Sequence, residues 1–166
     1  MKVTMNPIVE GLRRLGLGMI FSKDFEEIDY YAKGPWENYI DRQEASFVGR
    51  YSTTVSDMLT PYAHPQSCGN RQEMREIFLY KKGSTKGLKI EANQPIAFSM
   101  LHFDDKDFNK EKLHPWEMVE RNEVYTHFDY IQRGVGNGSC GPQTIEKYQV
   151  PSSGIYSFTL RFSPLR

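Results

Sequence analysis

The chain has 166 residues, which is the size of one domain with a single sizeable core. Lysine plus arginine and aspartate plus glutamate number 21 each, so the formal net charge is zero and no basic face for nucleic acid or an anionic membrane is expected. No apolar run approaches the roughly 20 residues that span a bilayer, and residues 1–6 contain no apolar signal core. The composition therefore argues against nucleic acid and membrane as partners.

Alternation of apolar and polar residues predicts β-strands along most of the chain. The alternation is clearest near the C-terminus, where Tyr156, Phe158, Leu160 and Phe162 are separated by polar residues. In chain order, the predicted strands are Leu15–Phe21, Ile28–Ala32, Ala45–Val55, Glu76–Lys81, Leu88–Ala92, Ile96–Leu101, Val124–Ile131 and Tyr156–Phe162.

Glycine and proline mark the turns between these strands. The turn signals are Lys33–Pro35, Thr60–Pro61, His64–Pro65, Lys82–Ser84, Gln94–Pro95 and Pro151–Gly154. One short helix is predicted near Asp104–Lys110, with Asp104 or Asp105 capping its first turn. Many short strands separated by turns are typical of an all-β antiparallel sandwich, and residues 1–166 form one domain by this interpretation.

Patterns that could carry chemistry fail on their context. The glycine-rich run Gly134–Gly138 precedes Gly141-Pro142 rather than a helix that could hold a phosphate, and Cys140 has no histidine base placed beside it by the sequence. The acidic pairs Glu26-Glu27 and Asp104-Asp105 are chain neighbours and are read as solvated caps rather than as the separated carboxyls of a glycosidase.

Neither histidine nor cysteine predicts a metal site or a disulfide framework. The histidines His64, His102, His114 and His127 contain no close pair with metal-ligand spacing. Cys68 and Cys140 are either free thiols or one bridge, and the sequence leaves both readings open. We therefore expect no catalytic residue and no metal ligand in this chain.

Four specific strings occur in a fixed order along the chain. They are Gly34–Arg42 (GPWENYIDR), Ser56–Tyr62 (SDMLTPY), Pro65–Arg71 (PQSCGNR), and Phe128–Tyr130 (FDY) followed by Gly134-Val135-Gly136 and Ser139–Pro142 (SCGP). Together they resemble the small-chain domain of β-galactosidases of glycoside hydrolase family 2, which is the last domain of those enzymes. The resemblance covers essentially the whole chain, which corresponds to the C-terminal part of that domain.

The resemblance implies an accessory role in a retaining β-galactosidase that hydrolyses terminal β-galactosides. In that family the hydrolytic carboxylates, a magnesium ion and a monovalent cation belong to a central barrel domain. This chain would then contain no cofactor of its own and would pack, as a large sandwich related to galactose mutarotase (a supersandwich), against the barrel of the same polypeptide or complex. The resemblance leaves an oligomer open.

The resemblance also implies two groups of site residues. A tryptophan lines the aglycone side of the sugar pocket in the best-known branch of the family, and Tyr125 falls at its position, with His127 two residues further on the same strand face. Tyrosine can stack on the C–H face of a sugar and add a hydroxyl hydrogen bond. Loop residues that either dock on a neighbouring domain or hold the sandwich together are Trp36, Glu37, Asn38, Tyr39, Asp41, Arg42 and Arg71.

The residue types in the predicted docking loop, Gly34–Arg42, indicate how it could be held together. Gly34-Pro35 fixes a turn, and the aromatic rings of Trp36 and Tyr39 are expected to cover apolar surface beside it. The charged side chains that follow can satisfy one another or backbone amides; they are Glu37, Asp41 and Arg42.

Three other functions remain open on the sequence. A free-standing carbohydrate-binding module would need a solvent-facing platform of several aromatic side chains, and a purely structural or interaction domain would show a large exposed apolar patch. Galactose mutarotase activity would need a carboxylate and a histidine in one cleft, and the sequence nominates no such pair. Since the resemblance places the chain within a longer domain, we also expect an unpaired sheet edge or apolar face.

Overall fold

The computed structural model describes residues 2–4, 11–63, 67–108, 114–136, 143–151 and 153–166. Within these ranges the chain forms antiparallel strands and single 3₁₀ turns. The strands are β1 (Lys2–Thr4), β2 (Arg14–Ser22), β3 (Phe25–Gly34), β4 (Phe47–Thr54), β5 (Arg71–Lys81), β6 (Gly87–Leu101), β7 (Glu123–Gln132), β8 (Ser153–Ile155) and β9 (Leu160–Leu165). His64, Pro65, Gln66, Lys110 and Ser139–Pro142 lie outside the described residues.

Seven strands form one open antiparallel sheet, in the order β2-β7-β6-β5-β3-β4 with β9 also paired to β6. The long strand β6 has two partners on the side away from β5, because Gly87–Ala92 pairs with β9 whereas Ala97–Leu101 pairs with β7. Strands β1 and β8 form a separate two-stranded ribbon. The predicted all-β antiparallel fold is confirmed, and the sheet is consistent with the predicted sandwich.

The prediction of a turn at Gln94–Pro95 is wrong, because these residues lie inside β6, which is 15 residues long. The register with β5 changes at this point: Met74 pairs with Ile96, whereas Glu76 pairs with Glu91. Extra residues of β6 are therefore left outside the ladder as a bulge, and proline, which has no N–H to donate, is tolerated there. Periodicity found both halves of β6, but the proline was misread as its end.

Two other sequence expectations need smaller corrections. The last strand begins at Leu160 rather than Tyr156, and the side chains before it pack without ladder pairing: the Tyr156 ring lies 5.5 Å from that of Tyr130. The helix expected near Asp104–Lys110 is a 3₁₀ turn, Asp105–Asp107, and Asp104 caps it as expected by accepting a hydrogen bond from the Lys106 N–H.

The core lies along one face of the sheet. Alternate residues of β3, β5, β6 and β7 supply it, among them Ile28, Tyr30, Ile77, Ile90, Phe98 and Phe128, each at most 2% exposed. Val55 and Met58, from the turn after β4, belong to the same buried cluster. Burial of a side chain of this size stabilises the fold by about 1.5–3 kcal/mol, so this face fixes the register of the strands that position the site.

The two ends of the sheet pair on one side only. In the described part of the chain β2 pairs only with β7, and β4 pairs only with β3. Apolar side chains are exposed on both of these edge strands: Leu17, Ile20, Phe47 and Val48. The expected unpaired edges with apolar surface are therefore present.

Candidate functional site

The predicted sugar-facing residues lie on strand β7. Tyr125, His127 and Asp129 occupy every second position and point to the same face, whereas Val124, Thr126 and Phe128 point into the core and are buried. Tyr125 and His127 are half-buried, and Asp129 is 2% exposed. The structure therefore brings the two predicted residues together beside a buried carboxyl group.

Tyr125 is contacted by an arginine that the sequence did not single out. The guanidinium carbon of Arg121 lies over the Tyr125 ring, 5.6 Å from its centroid. Arg121 in turn makes a bidentate pair with Asp107, with Nε 2.7 Å from Oδ2 and Nη2 2.8 Å from Oδ1. This pair raises the pKa of Arg121, so the cation over the ring is permanent.

His127 faces a second aspartate of the same 3₁₀ turn. Its Nε2 lies 3.4 Å from Oδ1 of Asp105. The His127 imidazole, together with the charge of nearby Arg14, holds the pKa of Asp105 below its usual range against the opposing effect of burial. Asp105 is therefore an anion at neutral pH, and it fixes one edge of the His127 ring.

Asp129 differs from Asp105 because it is buried. Burial raises the pKa of Asp129, and Arg14, whose Nη1 lies 3.8 Å from Oδ2, opposes that rise. Strand β2 approaches closely here, since Gly16 is the register partner of Asp129 and a Cβ on Gly16 would lie 2.4 Å from the Asp129 carboxylate. Only glycine fits at this position without moving the carboxyl group.

The predicted docking loop, Gly34–Arg42, is bound to the segment 69–72 by its own polar side chains. The Glu37 carboxylate is 5% exposed and accepts hydrogen bonds from the Gly69 N–H at 2.7 Å, from the Arg42 guanidinium and from the Tyr62 hydroxyl. Asn38 is fully buried: its Nδ2 donates to the Trp36 carbonyl at 2.9 Å and its Oδ1 accepts from the Gln72 N–H at 2.8 Å.

Asp41 joins this loop to another of the specific strings. Its two carboxylate oxygens accept hydrogen bonds from the Val135 N–H at 3.1 Å and the Gly136 N–H at 2.5 Å. Gly136 has a positive φ of 30°, and a Cβ on Gly134 would lie 2.5 Å from the Asp41 carboxyl carbon. The strings Gly34–Arg42 and Gly134-Val135-Gly136 are thus two sides of one contact.

The remaining docking residues differ in exposure. Tyr39 and Arg71 are buried, at 1% and 5%, whereas the Arg42 side chain is 51% exposed and Trp36 is 74% exposed. The expectation that Trp36 covers apolar surface is therefore wrong within the described chain, while that for Tyr39 is confirmed. Glu37, Asp41 and Arg42 satisfy one another or backbone amides as expected.

Within the described residues we looked for a reactive thiol, a metal site and a membrane-spanning helix. Cys68 is a free thiol whose pKa burial raises to about 12, so it is protonated and unreactive at neutral pH. No group of three or more His, Cys, Asp and Glu side chains in the described ranges could hold a metal ion. In the same ranges, no helix combines the length and apolar character of a membrane span. The arrangement on β7 suits binding through an aromatic ring and fixed polar groups.

Comparison with known proteins gives the family. The family model described as "Beta galactosidase small chain" matches residues 1–162. The chain belongs to this family. It is 32% identical over 152 residues to a β-galactosidase of Staphylococcus xylosus, covering 91% of this chain and 15% of that protein.

Two further relatives show the same proportions. A β-galactosidase of Lactococcus lactis is 31% identical over 152 residues, covering 90% of this small-chain domain and 14% of that protein. A β-galactosidase of Actinobacillus pleuropneumoniae is 28% identical over 151 residues, covering 91% and 14%. The chain thus spans about 15% of the length of the curated relatives it matches.

Sequence reasoning missed the charged residues around Tyr125 and His127 in this small-chain domain. Arg121 lies four positions before Tyr125, but its partner Asp107 is 14 positions earlier, and nothing local connects them. Asp104-Asp105 was recognised as a capping segment, yet the same turn also supplies Asp105 and Asp107 to the β7 face. The available signal was the presence of three aspartates in this turn, which is more than a cap requires and indicates that one or more of them has another partner.

Proposed function

We propose that this chain is the non-catalytic C-terminal β-sandwich segment of a β-galactosidase that hydrolyses terminal β-galactosides. In this proposal it packs against the catalytic barrel of the same polypeptide or complex and contributes Tyr125 and His127 to the wall of the sugar pocket. The observation that carries the proposal is the small-chain family match over residues 1–162 in a chain that spans about 15% of its β-galactosidase relatives.

The β7 face supports a role in binding rather than in bond cleavage. A half-buried tyrosine ring can stack on the apolar C–H face of a galactoside, and the His127 imidazole beside it can exchange a hydrogen bond with a sugar hydroxyl. The hydrolytic carboxylates, and the magnesium and monovalent cation that the family resemblance implies, belong to the barrel in this proposal. The residues of this chain would orient the sugar and exclude water.

The docking part of the proposal is supported by exposed apolar side chains at one end of the β3–β4 hairpin. Gly34 is the register partner of Phe47, so Trp36, which follows two residues later, and Phe47 belong to the same end of the hairpin. Trp36 is 74% exposed and Phe47 72% exposed. Two large exposed rings at one end of a hairpin are typical of a contact surface for another domain.

The experiment that tests the proposal is hydrolysis of nitrophenyl-β-galactoside by the longer polypeptide or complex that contains this segment, compared with the isolated chain. Circular dichroism first establishes that the isolated chain is folded. Turnover by the longer protein and none by the folded chain is the expected result. Turnover by the isolated chain would overturn the non-catalytic role.

Substitution of Tyr125 tests the pocket in particular. In the longer protein, Tyr125→Ala is expected to raise KM for nitrophenyl-β-galactoside about five- to tenfold, because an aromatic contact contributes roughly 1 kcal/mol or more beyond its area. The matched control is Tyr31→Ala, since Tyr31 is another half-buried strand tyrosine with arginine over its ring (Arg50 and Arg75) but lies on β3. An unchanged KM in Tyr125→Ala, or an equal rise in Tyr31→Ala, would contradict the sugar contact.

A further inference from the structure

The environment of Tyr125 leaves its ring with two unequal faces. Arg121 covers one face, with its guanidinium carbon 5.6 Å from the ring centroid. A planar guanidinium attracts the ring through the negative charge of the ring's π face, and it prefers to lie over the ring rather than at its edge. A ligand that stacks on Tyr125 must therefore use the opposite face.

Arg121 is itself fixed from two directions. Its guanidinium makes the bidentate pair with Asp107, and its backbone N–H donates to the His102 carbonyl at 2.9 Å. The Asp107 side chain is 9% exposed, and its Oδ2 also accepts a hydrogen bond from the Asp104 N–H at 2.9 Å. The position of the Tyr125 ring is thus determined by the 3₁₀ turn Asp105–Asp107 as well as by strand β7.

We propose that Arg121, held by Asp107, is the positioning residue for Tyr125 in galactoside binding. It holds the ring at one angle and reserves the opposite face for the sugar. The inference rests on the proposed function of Tyr125. A ring that is already ordered loses less conformational freedom when the sugar binds, and that difference appears in affinity rather than in the rate of bond cleavage.

The charges of the group are consistent with a neutral ligand such as a sugar. Asp107 neutralises Arg121 through two short hydrogen bonds, and Asp105 lies against His127. The cation over the ring is therefore already paired and has no need of an anionic ligand. Its contribution is to the position of the ring, which an uncharged galactoside would use.

The test is a double-mutant cycle of Arg121→Ala and Tyr125→Ala in the longer protein, with KM and kcat for nitrophenyl-β-galactoside as readouts. Arg121→Ala alone is expected to raise KM about two- to fivefold, the size of an exposed cation–π contact, with kcat unchanged. In the Tyr125→Ala background the same substitution is expected to leave KM where it was. Arg121→Lys, which keeps a cation near the ring, is expected to lie between the wild type and Arg121→Ala.

A matched control is available on another strand. Arg50 and Arg75 lie over the Tyr31 ring, 5.1 Å and 5.3 Å from its centroid, so the double substitution Arg50→Ala/Arg75→Ala removes the same kind of contact from β3. Its KM is expected to equal that of the wild type. Thermal unfolding of each variant checks that Arg121→Ala remains folded.

Three results would overturn the inference. If Tyr125→Ala raises KM but Arg121→Ala does not, Tyr125 contacts the sugar without help from Arg121, and the proposed function stands while this inference fails. If Arg121→Ala raises KM equally in the presence and absence of the Tyr125 ring, Arg121 acts by another route. An unchanged KM in Tyr125→Ala would overturn the proposed sugar contact and this inference together.

Discussion

The Gly34–Arg42 loop and the β7 face use the same kinds of side chain to different ends. In the loop, Glu37 and Asn38 are buried, and their side chains are hydrogen-bonded to neighbouring segments of the chain. On β7, Tyr125 and His127 are half-buried, and the charged groups around them fix their position from one side. The loop therefore joins parts of the sandwich, whereas the β7 face retains accessible side-chain surface.

A specific sequence string can reflect contacts that stabilise the fold or contacts with a ligand, and the two regions illustrate this difference. A string such as GPWENYIDR is distinctive because its carboxylate and amide groups each have a particular backbone partner, and those partners need not concern a ligand. Tyr125, which we propose contacts a sugar, lies in a less distinctive strand. Substitutions in the two regions are therefore expected to differ in their effects on stability and on its pH dependence.

The largest effect is expected for Asn38→Ala. It removes the hydrogen bonds of the Asn38 amide to the Lys33 and Trp36 carbonyls and leaves the Gln72 N–H without its acceptor. A fully buried amide with three such bonds predicts a loss of about 2–4 kcal/mol in the free energy of unfolding. Urea unfolding of the variant and the wild type measures it.

A loss below about 0.5 kcal/mol in Asn38→Ala would mean that water replaces the amide without cost, and the loop would then not be the joint described above. In the longer protein, KM of a folded Asn38→Ala variant is expected to change much less than that of Tyr125→Ala. An equal change in KM would place the loop in the sugar pocket as well.

A smaller, pH-dependent effect is expected at Glu26, another carboxylate with internal partners. Its Oε2 lies 2.7 Å from Nε2 of His102, which is 1% exposed, and the other ring nitrogen lies 3.0 Å from the Glu123 carbonyl. Both neighbours can accept a hydrogen bond, so each ring nitrogen of His102 faces an acceptor. Burial alone raises the pKa of Glu26, but the hydrogen bonds from His102 and Ser56 outweigh it and leave that pKa lowered.

The direction of the pH dependence follows from this lowered pKa. The stability that ionised Glu26 contributes is fully present above its unfolded value, near 4.5, and is lost as the pH falls through the lower folded value. Glu26→Gln is therefore expected to be less stable than the wild type by about 1–2 kcal/mol at pH 7, with the difference shrinking below pH 4.5. The matched control is Glu27→Gln, whose exposed carboxylate accepts one hydrogen bond from the Gly83 N–H. A constant difference across this pH range would contradict the lowered pKa of Glu26.

The sequence predicted strands well and their connections less well. Alternation located the strand around Tyr125 and His127 to within a residue at each end, because one face of that strand is buried and a slip would expose Phe128. It failed at Pro95, because a bulge is set by the neighbouring strand. Alternation also failed to connect Arg121 with Asp107. That contact depends on how two loops pack, so it produces no periodic pattern in the sequence.

The smallest effect on stability is expected for Trp36→Ala, in the same string as Asn38. The Trp36 side chain is 74% exposed, so little of its apolar surface is buried in the folded chain. Its removal is therefore expected to change the free energy of unfolding by about 0.5 kcal/mol or less. Its carbonyl, which accepts from Asn38, is retained in the variant. A loss above about 1 kcal/mol would mean that the ring packs on this chain. A stable variant that binds the proposed catalytic barrel more weakly would show that one string contains both a joint and a docking contact.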